Sequence, residues 1–163
     1  MNGGRRRLLI ATLAIIGARA ACAKEAPDLP LAVDLRADAA EAKRRKVPIL
    51  LLYSLAGCPY CDQVRRSFLL PMMANVATSK RALFRQVNLS DAKPLLDFAG
   101  KATSHAAFSH EAGVTLAPVV AFFDRQGHQA AEPLKGMLLP DFYGYYLDTA
   151  LETATRRVSA TSQ

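Results

Sequence analysis

Four segments of the chain have patterns of apolar and polar residues that predict β-strands. Residues 47–53 form a nearly continuous apolar run, which predicts a strand buried on both faces. Residues 83–89 alternate between apolar and polar side chains, and residues 119–123 are rich in β-branched and aromatic side chains. Each of these predicts a further strand. A weaker strand is expected to follow the turn at residues 125–128 and to end near Leu134.

Predicted helices separate these strands. Residues 34–46 are rich in alanine, begin at the potential N-cap Asp34 and end in basic side chains, as a helix does. Residues 58–70 carry apolar side chains at helical spacing, and Pro71 is expected to end or kink that helix. Residues 93–113 are predicted to be mostly helical, with a break near the glycine in their middle.

A last helix is predicted from Pro140 onward. The order helix, strand, helix, strand, helix, strand, strand, helix indicates parallel strands joined through helices, then a hairpin and a covering helix. The predicted fold class is therefore α/β, with a central mixed β-sheet flanked by helices. Most aromatic side chains are expected to pack in the core or under a lid, namely Phe108, Phe122, Phe123 and the aromatic residues of 143–146.

The N-terminal 23 residues have the composition of a secretory signal peptide. Three arginines precede the apolar stretch 8–17, and small residues surround possible cleavage points after Ala20 and Ala23, as export signals require. The apolar stretch is short for a membrane-spanning helix, so an uncleaved anchor is the less favoured alternative. Cleavage after Ala23 removes Cys22, whereas cleavage after Ala20 keeps it.

Export of this kind predicts a periplasmic protein. The expected organisation is a signal peptide at residues 1–23, an extended segment at 24–33, one domain at 34–158 and a disordered tail at 159–163. A mature chain of this length is long enough for a single domain with its own core.

The net charge of the mature chain is small. The whole chain carries +7, and the predicted signal peptide holds four arginines and no acidic residue, so its removal leaves +3. Such a balance gives no reason to expect nucleic-acid binding. The basic run 43–46 is interpreted as a solvated helix end, and a docking patch for an acidic partner or a membrane surface is the alternative.

The tetrapeptide Cys58-Pro59-Tyr60-Cys61 follows the first predicted strand. A thiol near the start of a helix faces free N–H groups, which favour the thiolate, so we expect Cys58 to be the nucleophile. Cys61, one turn further along, is expected to be buried and to resolve the mixed disulfide. Pro59 and Tyr60 are expected to tune the site and contact substrate, because they lie between the two cysteines at its rim. A disulfide that closes so small a loop stabilises a fold little, so a reactive pair is favoured over a structural bridge.

Pro118 opens the strand 119–123 far along the sequence. A Cys-x-x-Cys at a strand-to-helix junction, a later proline that opens a strand and a glycine after the hairpin together resemble the thioredoxin superfamily, over residues 34–154. The resemblance implies a thioredoxin fold and a cis Pro118 beside the cysteines. It also implies that the backbone of Ala117 pairs with an extended substrate peptide.

Two narrower similarities and two departures refine this resemblance. The Cys-Pro-Tyr-Cys sequence is similar to that of glutaredoxins, and residues 136–143 are similar to periplasmic thioredoxin-like proteins of sulfur-oxidation systems (the SoxW type). Thioredoxins usually carry a buried aspartate where this chain has Leu52, so a general base for Cys61 is absent. They usually have tryptophan where this chain has Gly57, which predicts a different substrate preference.

These features predict an exported thiol–disulfide oxidoreductase with no cofactor. It is expected to reduce disulfides of periplasmic proteins through Cys58 and Cys61, with electrons from a membrane donor. The oxidising and isomerising directions stay open. Arg65 and Arg66 are expected to face solvent.

The main alternative is a copper-binding or other metal-binding chaperone that uses the same two thiolates. A closed zinc site needs about four ligands, and the three histidines, His105, His110 and His128, are interpreted as solvated or hydrogen-bonded residues rather than ligands. A dimer that shares a metal cluster, as in some glutaredoxins, is a further alternative.

Overall fold

The structure is a computed structural model that describes residues 28–137 and 139–160. The predicted signal peptide, with Cys22, lies outside the described residues. The helices are α1 (Leu35–Arg45), α2 (Pro59–Gln63), α3 (Leu70–Ala74), α4 (Val76–Ser79), α5 (His105–Glu111) and α6 (Pro140–Ala160), with a π-helical segment (Val64–Leu69) between α2 and α3. The strands are β1 (Ile49–Ser54), β2 (Leu83–Asn88), β3 (Pro94–Leu96), β4 (Ala102–Ser104), β5 (Val119–Phe123) and β6 (Gln129–Lys135).

Four strands form the central sheet in the order β2-β1-β5-β6. β1 pairs with β2 in parallel and with β5 antiparallel, and β6 pairs antiparallel with β5. The sheet is therefore mixed, and helices cover it, which confirms the predicted fold class. Within the described ranges no helix has the length and hydropathy that a membrane span requires.

β1 is one of the two interior strands of the sheet, and every one of its residues is buried. Leu50 and Leu52 pack on one face of the sheet with residues of the π-helical segment and α6. Ile49, Leu51 and Tyr53 pack on the other face with α1. The continuous apolar run thus forms a strand buried on both faces, as predicted.

α1 begins and ends where its sequence predicts. The side chain of Asp34 accepts a hydrogen bond from the backbone N–H of Ala37 at 2.8 Å, which satisfies a free donor of the first turn. Lys46 ends the helix in the left-handed conformation with φ of 56°, and three basic side chains precede it near the negative end of the helix. The basic run is therefore a helix end.

The prediction of helix over residues 93–113 is wrong for its first half. β3 and β4 pair there as an antiparallel hairpin, and only α5 is helical. Asp97 accepts hydrogen bonds from the backbone N–H groups of Ala99 and Lys101 at 2.9 and 2.8 Å, and Gly100 has φ of 83°. These turn interactions, with Leu95 buried beneath the hairpin, outweigh the local helical propensity.

Pro71 does not end the helix that starts after Cys58. The N–H of Leu70 bonds to the carbonyl of Arg65, in the π-helical pattern, and the helix continues to Ala74. Pro71 has no N–H to donate, and the π-type turn before it lets the helix continue past the proline. Asn75 then ends the helix and caps α4 with its side chain.

The final helix lies over the sheet through one apolar stripe. Its buried residues are Tyr143, Leu147, Leu151, Ala154 and Val158. Of the aromatic residues of 143–146, which are expected mostly to pack in the core or under a lid, Tyr143 is buried, whereas Tyr145 and Tyr146 are 69% and 45% exposed. Helical spacing explains this difference, since these two side chains point away from the stripe. Ser159 and Ala160, the first two residues of the predicted disordered tail, are helical.

Candidate active site

The chain leaves β1 through a tight turn that delivers Cys58 to the start of α2. Gly57 has φ of 71°, a conformation that residues with a side chain rarely adopt. Cys58 is the N-cap of α2 with extended backbone angles, and Pro59 occupies the first helical position. Proline fits there because that position has no intrahelical use for an N–H. The local sequence therefore fixes where the first sulfur lies.

Cys58 and Cys61 are joined by a disulfide whose Cα atoms are 5.3 Å apart. The Sγ of Cys58 accepts a hydrogen bond from the backbone N–H of Cys61 at 3.1 Å. Cys61 is fully buried, whereas Cys58 is partly exposed. The sulfur that accepts the N–H hydrogen bond at the helix start thus belongs to the partly exposed cysteine, and the other sulfur belongs to the buried one.

The position below the site is apolar. Leu52 occupies the position where thioredoxins usually carry a buried aspartate. It is fully buried in a cluster with Val64 and Val120, so a hydrocarbon side chain stands where a general base could have been. The carboxylate of Asp62, on the active helix itself, is engaged by Arg65.

The prediction that Arg65 faces solvent is wrong. Its side chain is 16% exposed and forms ion pairs with Asp62 and, at 3.2 Å, with Asp28. The guanidinium therefore ties the active helix to the extended N-terminal segment, and its charge is matched by two carboxylates. The ion pair with Asp62 could have been predicted, because opposite charges three residues apart on a helix lie close together. The ion pair with Asp28 could not, because Asp28 is distant in the sequence and no local pattern connects it to Arg65. Arg66 is exposed.

Pro118 lies at the same edge of the sheet as the cysteine turn. Val119, the first residue of β5, is opposite Tyr53 near the end of β1, so Pro118 and the residues after β1 project from neighbouring strand ends. The Ala117–Pro118 bond is cis, as the family resemblance implied. Pro118 is buried and its carbonyl accepts a hydrogen bond from the N–H of Gly136 at 2.8 Å. Ala117 is half-buried and precedes the ladder of β5.

The rim of the site is partly apolar. Tyr60 is 60% exposed between the two cysteines, and Pro59 is exposed beside it. On one side a polar groove of about 500 Å³ runs from Gly57 past Asp62 and Arg65. Both residues between the cysteines are therefore exposed at the surface beside the disulfide.

His105 is buried and hydrogen-bonded, whereas His128 lies at the surface beside a carboxylate. His105 is buried, its Nδ1 accepts from the N–H of Asn88 at 3.0 Å, and its Nε2 lies 2.8 Å from the carbonyl of Ala32. This arrangement requires the neutral ring with its proton on Nε2, a structural bridge between α5 and the N-terminal segment. His128 lies 3.5 Å from Asp124 at the surface. In the part of the chain that the structure describes, three or more potential ligands are nowhere grouped to hold a metal ion.

A buried and a partly exposed cysteine are paired at the start of a helix, and a cis proline lies at the neighbouring strand end of a four-stranded mixed sheet. Together these features define a dithiol protein of thioredoxin fold. The sequence profile of the thioredoxin-like domain matches residues 35–150, and the chain belongs to that family. The predicted enzyme class, a thiol–disulfide oxidoreductase, is confirmed at this level by the family and the paired cysteines.

Three of the solved structures similar to this chain come from Paracoccus pantotrophus, Neisseria meningitidis and Helicobacter pylori. One is the reduced periplasmic thioredoxin SoxS from Paracoccus pantotrophus, at 16% identity and a TM-score of 0.44, covering 66% of this chain and 98% of its own. Another is the oxidised C-terminal domain of DsbD from Neisseria meningitidis, at 18% identity and a TM-score of 0.47, covering 74% and 98%. A thioredoxin-fold protein from Helicobacter pylori has 18% identity and a TM-score of 0.43, covering 72% and 84%. No curated protein sequence matches the chain.

Proposed function

We propose that this protein is exported to the periplasm and reduces disulfides of proteins there. The observation that supports the proposal most directly is the asymmetry of the cysteine pair. Cys58 is accessible and its sulfur accepts an N–H hydrogen bond at the helix start, whereas Cys61 is buried one turn further in. An accessible thiolate attacks first, and a shielded neighbour resolves.

The proposed cycle moves two electrons from the dithiol to the substrate. The Cys58 thiolate attacks one sulfur of the substrate disulfide, forms a mixed disulfide and releases the other sulfur as a thiolate, which takes a proton from water. Cys61 then loses its proton and attacks the Sγ of Cys58. The Cys58–Cys61 disulfide forms, and the second substrate sulfur leaves as a thiol.

The helix start makes the first step favourable. The backbone N–H of Cys61, in the first turn of α2, donates to the Sγ of Cys58 at 3.1 Å, and the N–H groups of a first turn have no intrahelical acceptor. They stabilise the thiolate more than the thiol, so we expect the pKa of Cys58 to lie below that of an ordinary cysteine. Leu52 offers no base for Cys61, so we expect its proton to leave to water or to the departing substrate sulfur.

Substrate binding is proposed at the rim formed by the active turn and the cis-proline loop. Pro59 and Tyr60 are exposed beside the reactive sulfur. The backbone of Ala117 directly precedes β5, and we propose that it pairs with an extended segment of the substrate, as a strand edge does. Pro118 would hold that loop in position.

Export is proposed from the sequence of residues 1–23, with its basic start, short apolar stretch and small-residue cleavage points. Because the periplasm is kept oxidising, a reductase there needs a continuous supply of electrons, which we assign to a membrane-bound donor.

Two measurements test the proposal. Equilibration of the purified protein in glutathione buffers is expected to give a reduction potential near −270 mV, as for reductants, and a value near about −120 mV would indicate an oxidant instead. The Cys61→Ser variant is expected to accumulate mixed disulfides with periplasmic proteins. Equal trapping by Cys58→Ser would contradict the assignment of the nucleophile.

Copper content separates this function from the metal-binding alternative. We expect the reduced, purified protein to exchange disulfides without bound copper. One Cu(I) bound per protein through both thiolates, with no exchange activity, would favour a metal-delivery role instead.

A further inference from the structure

Two short basic runs that are far apart in the sequence lie side by side in the structure. The first ends α1, and the second follows α4. The guanidinium of Arg45, in the first run, donates hydrogen bonds to the backbone carbonyls of Ser79 and Ala82, on either side of the second run, at 3.0 and 3.4 Å. The basic patch formed in this way consists of Lys43, Arg44, Arg45, Lys46, Lys80 and Arg81.

The charge of the basic patch is only partly matched by acidic side chains. Arg44 pairs with Glu41, and Arg81 lies 3.9 Å from the carboxylate of Asp148. The three lysines of the patch are exposed, and among the described residues no carboxylate pairs with any of them. Six basic side chains against two acidic ones leave a surplus of four positive charges, more than the +3 expected for the whole mature chain. The positive charge of the protein is therefore concentrated on this surface.

An exposed apolar side chain lies next to these charges. Val76, the first residue of α4, is 70% exposed and precedes Lys80 by one helical turn. Basic side chains beside an exposed apolar one are typical of surfaces that lie on a bilayer, where the cations meet lipid phosphates and the apolar group enters the headgroup region.

The basic patch lies at the opposite end of the sheet from the cysteine site. β1 and β2 run in parallel with Ile49 opposite Leu83, so the two basic runs lie just before the points at which these strands begin. Cys58 instead follows the end of β1. Because β1 has six residues and a strand rises by about 3.3 Å per residue, roughly 20 Å of sheet separates the patch from the cysteine turn.

We propose that the basic patch binds the surface of a bilayer that contains anionic phospholipid. The lysine and arginine side chains would contact lipid phosphates, and Val76 would enter the headgroup region. Each basic side chain near such a surface adds an electrostatic attraction that acts within about a Debye length. The cysteine turn would then point away from the lipid, where proteins in solution can reach it. Binding needs neither cysteine, so a failure of the proposed disulfide reduction leaves this proposal intact.

The test is co-sedimentation of the purified protein with vesicles of phosphatidylglycerol and phosphatidylcholine in equal parts, and with vesicles of phosphatidylcholine alone. At about 0.1 M NaCl we expect the mixed vesicles to bind the protein more tightly. At about 1 M NaCl, where the Debye length falls to about 3 Å, we expect that preference to disappear. Equal affinity of the wild type for both kinds of vesicle would overturn the proposal.

Two triple variants test the surface. Lys43→Gln, Lys46→Gln and Lys80→Gln together remove the three unmatched lysine charges, and we expect affinity for the mixed vesicles to fall roughly a hundredfold, about fivefold for each charge. The matched control replaces three exposed lysines outside the patch, Lys93, Lys101 and Lys135, by glutamine. It lowers the net charge equally and should bind within about threefold of the wild type, because distant charges are screened.

Both triple variants keep the same N-terminal segment, so any binding by that segment is common to them. Equal weakening by the two variants would show that only net charge matters and would overturn the assigned surface. Val76→Ser should weaken binding a few-fold, and unchanged binding would refute the insertion of Val76. Patch-dependent binding of polyglutamate without binding of mixed vesicles would overturn the membrane proposal and favour an acidic protein partner.

The orientation has its own test. Reduced protein bound to mixed vesicles should react at Cys58 with a polyethylene glycol maleimide as fast as free protein does, because the cysteine turn points away from the lipid. Protection of Cys58 by the vesicles would overturn the proposed orientation.

Discussion

Tyr53 and Tyr143 are both deeply buried, and neither hydroxyl has a hydrogen-bond partner within the described residues. Burial raises the pKa of each well above the ordinary value of 10.0, because the charged phenolate would be poorly solvated. An unfolded chain ionises these tyrosines near pH 10, while the native protein keeps them neutral. Above pH 10 the unfolded state therefore binds fewer protons, and the free energy of unfolding falls as the pH rises.

The expected loss follows from the ordinary tyrosine pKa. Between pH 9 and pH 11, ionisation of one tyrosine in the unfolded state alone lowers stability by about 1.4 kcal/mol, and of both by about 2.8 kcal/mol. Tyr53→Phe and Tyr143→Phe should each remove about half of this loss. At neutral pH each variant should be as stable as the wild type or slightly more so, because the removed hydroxyl has no partner.

Urea unfolding of the oxidised protein at pH 9, 10 and 11, followed by far-UV circular dichroism, measures this directly. The disulfide form is used so that no cysteine of the active site titrates. Tyr146 is 45% exposed, so Tyr146→Phe serves as the matched control and should retain the full loss. If the two buried variants lose as much stability as Tyr146→Phe, the buried hydroxyls ionise in the native protein and the reasoning is refuted.

Two further predictions concern stability around the site. Gly57→Ala should destabilise the protein by about 1 kcal/mol because φ is 71°, although no atom lies within 4 Å of the added Cβ. Gly144→Ala in α6 places a Cβ 3.6 Å from Phe68, an ordinary contact, and should stabilise the protein by about 0.5–1 kcal/mol. Thermal unfolding checks both variants, and equal effects of one sign would contradict the prediction. Leu52→Asp should cost more than about 3 kcal/mol in urea unfolding by burying a carboxyl among apolar side chains, and Leu52→Met less than about 1.5 kcal/mol. Similar stabilities for the two Leu52 variants would refute the dry environment inferred there.

The elements that could be predicted are those in which a local pattern and the tertiary environment agree. The apolar run of β1 predicts a buried strand, and β1 is buried along its whole length. Asp34 caps α1 by accepting a hydrogen bond from the backbone N–H of Ala37, three residues along the chain. Cys58 and Pro59 form a helix start that depends on four consecutive residues. Local chemistry was sufficient for the position of the reactive sulfur.

The hairpin β3–β4 could not be predicted by the same means. Its strands have three residues each, too short for a period-two pattern to appear. Its turn depends on Asp97 and Gly100, and its stability on the burial of Leu95. The alanines and lysines around it favour a helix in isolation, and the tertiary contacts decide otherwise.

The contacts of Arg65 and Tyr53 depend on distant segments. Arg65 pairs with Asp28, 37 residues away along the chain, so its partial burial has no local signal. A cavity at Tyr53 is formed by the turn at residues 97–99, by α5 and by β5 and β6, and the turn lies in the region whose fold was predicted wrongly. Only the assembled structure shows that the Tyr53 hydroxyl has no hydrogen-bond partner among the described residues.

The central claim is that the start of α2 stabilises a thiolate at Cys58. The most direct measurement is the rate of iodoacetamide alkylation of Cys58 as a function of pH, in a protein that carries Cys61→Ser and Cys22→Ala so that one thiol remains. The account predicts a midpoint between about pH 3.5 and 7.5, as for thiols at helix starts. A midpoint near about pH 8.5, the value of a free cysteine, would contradict it.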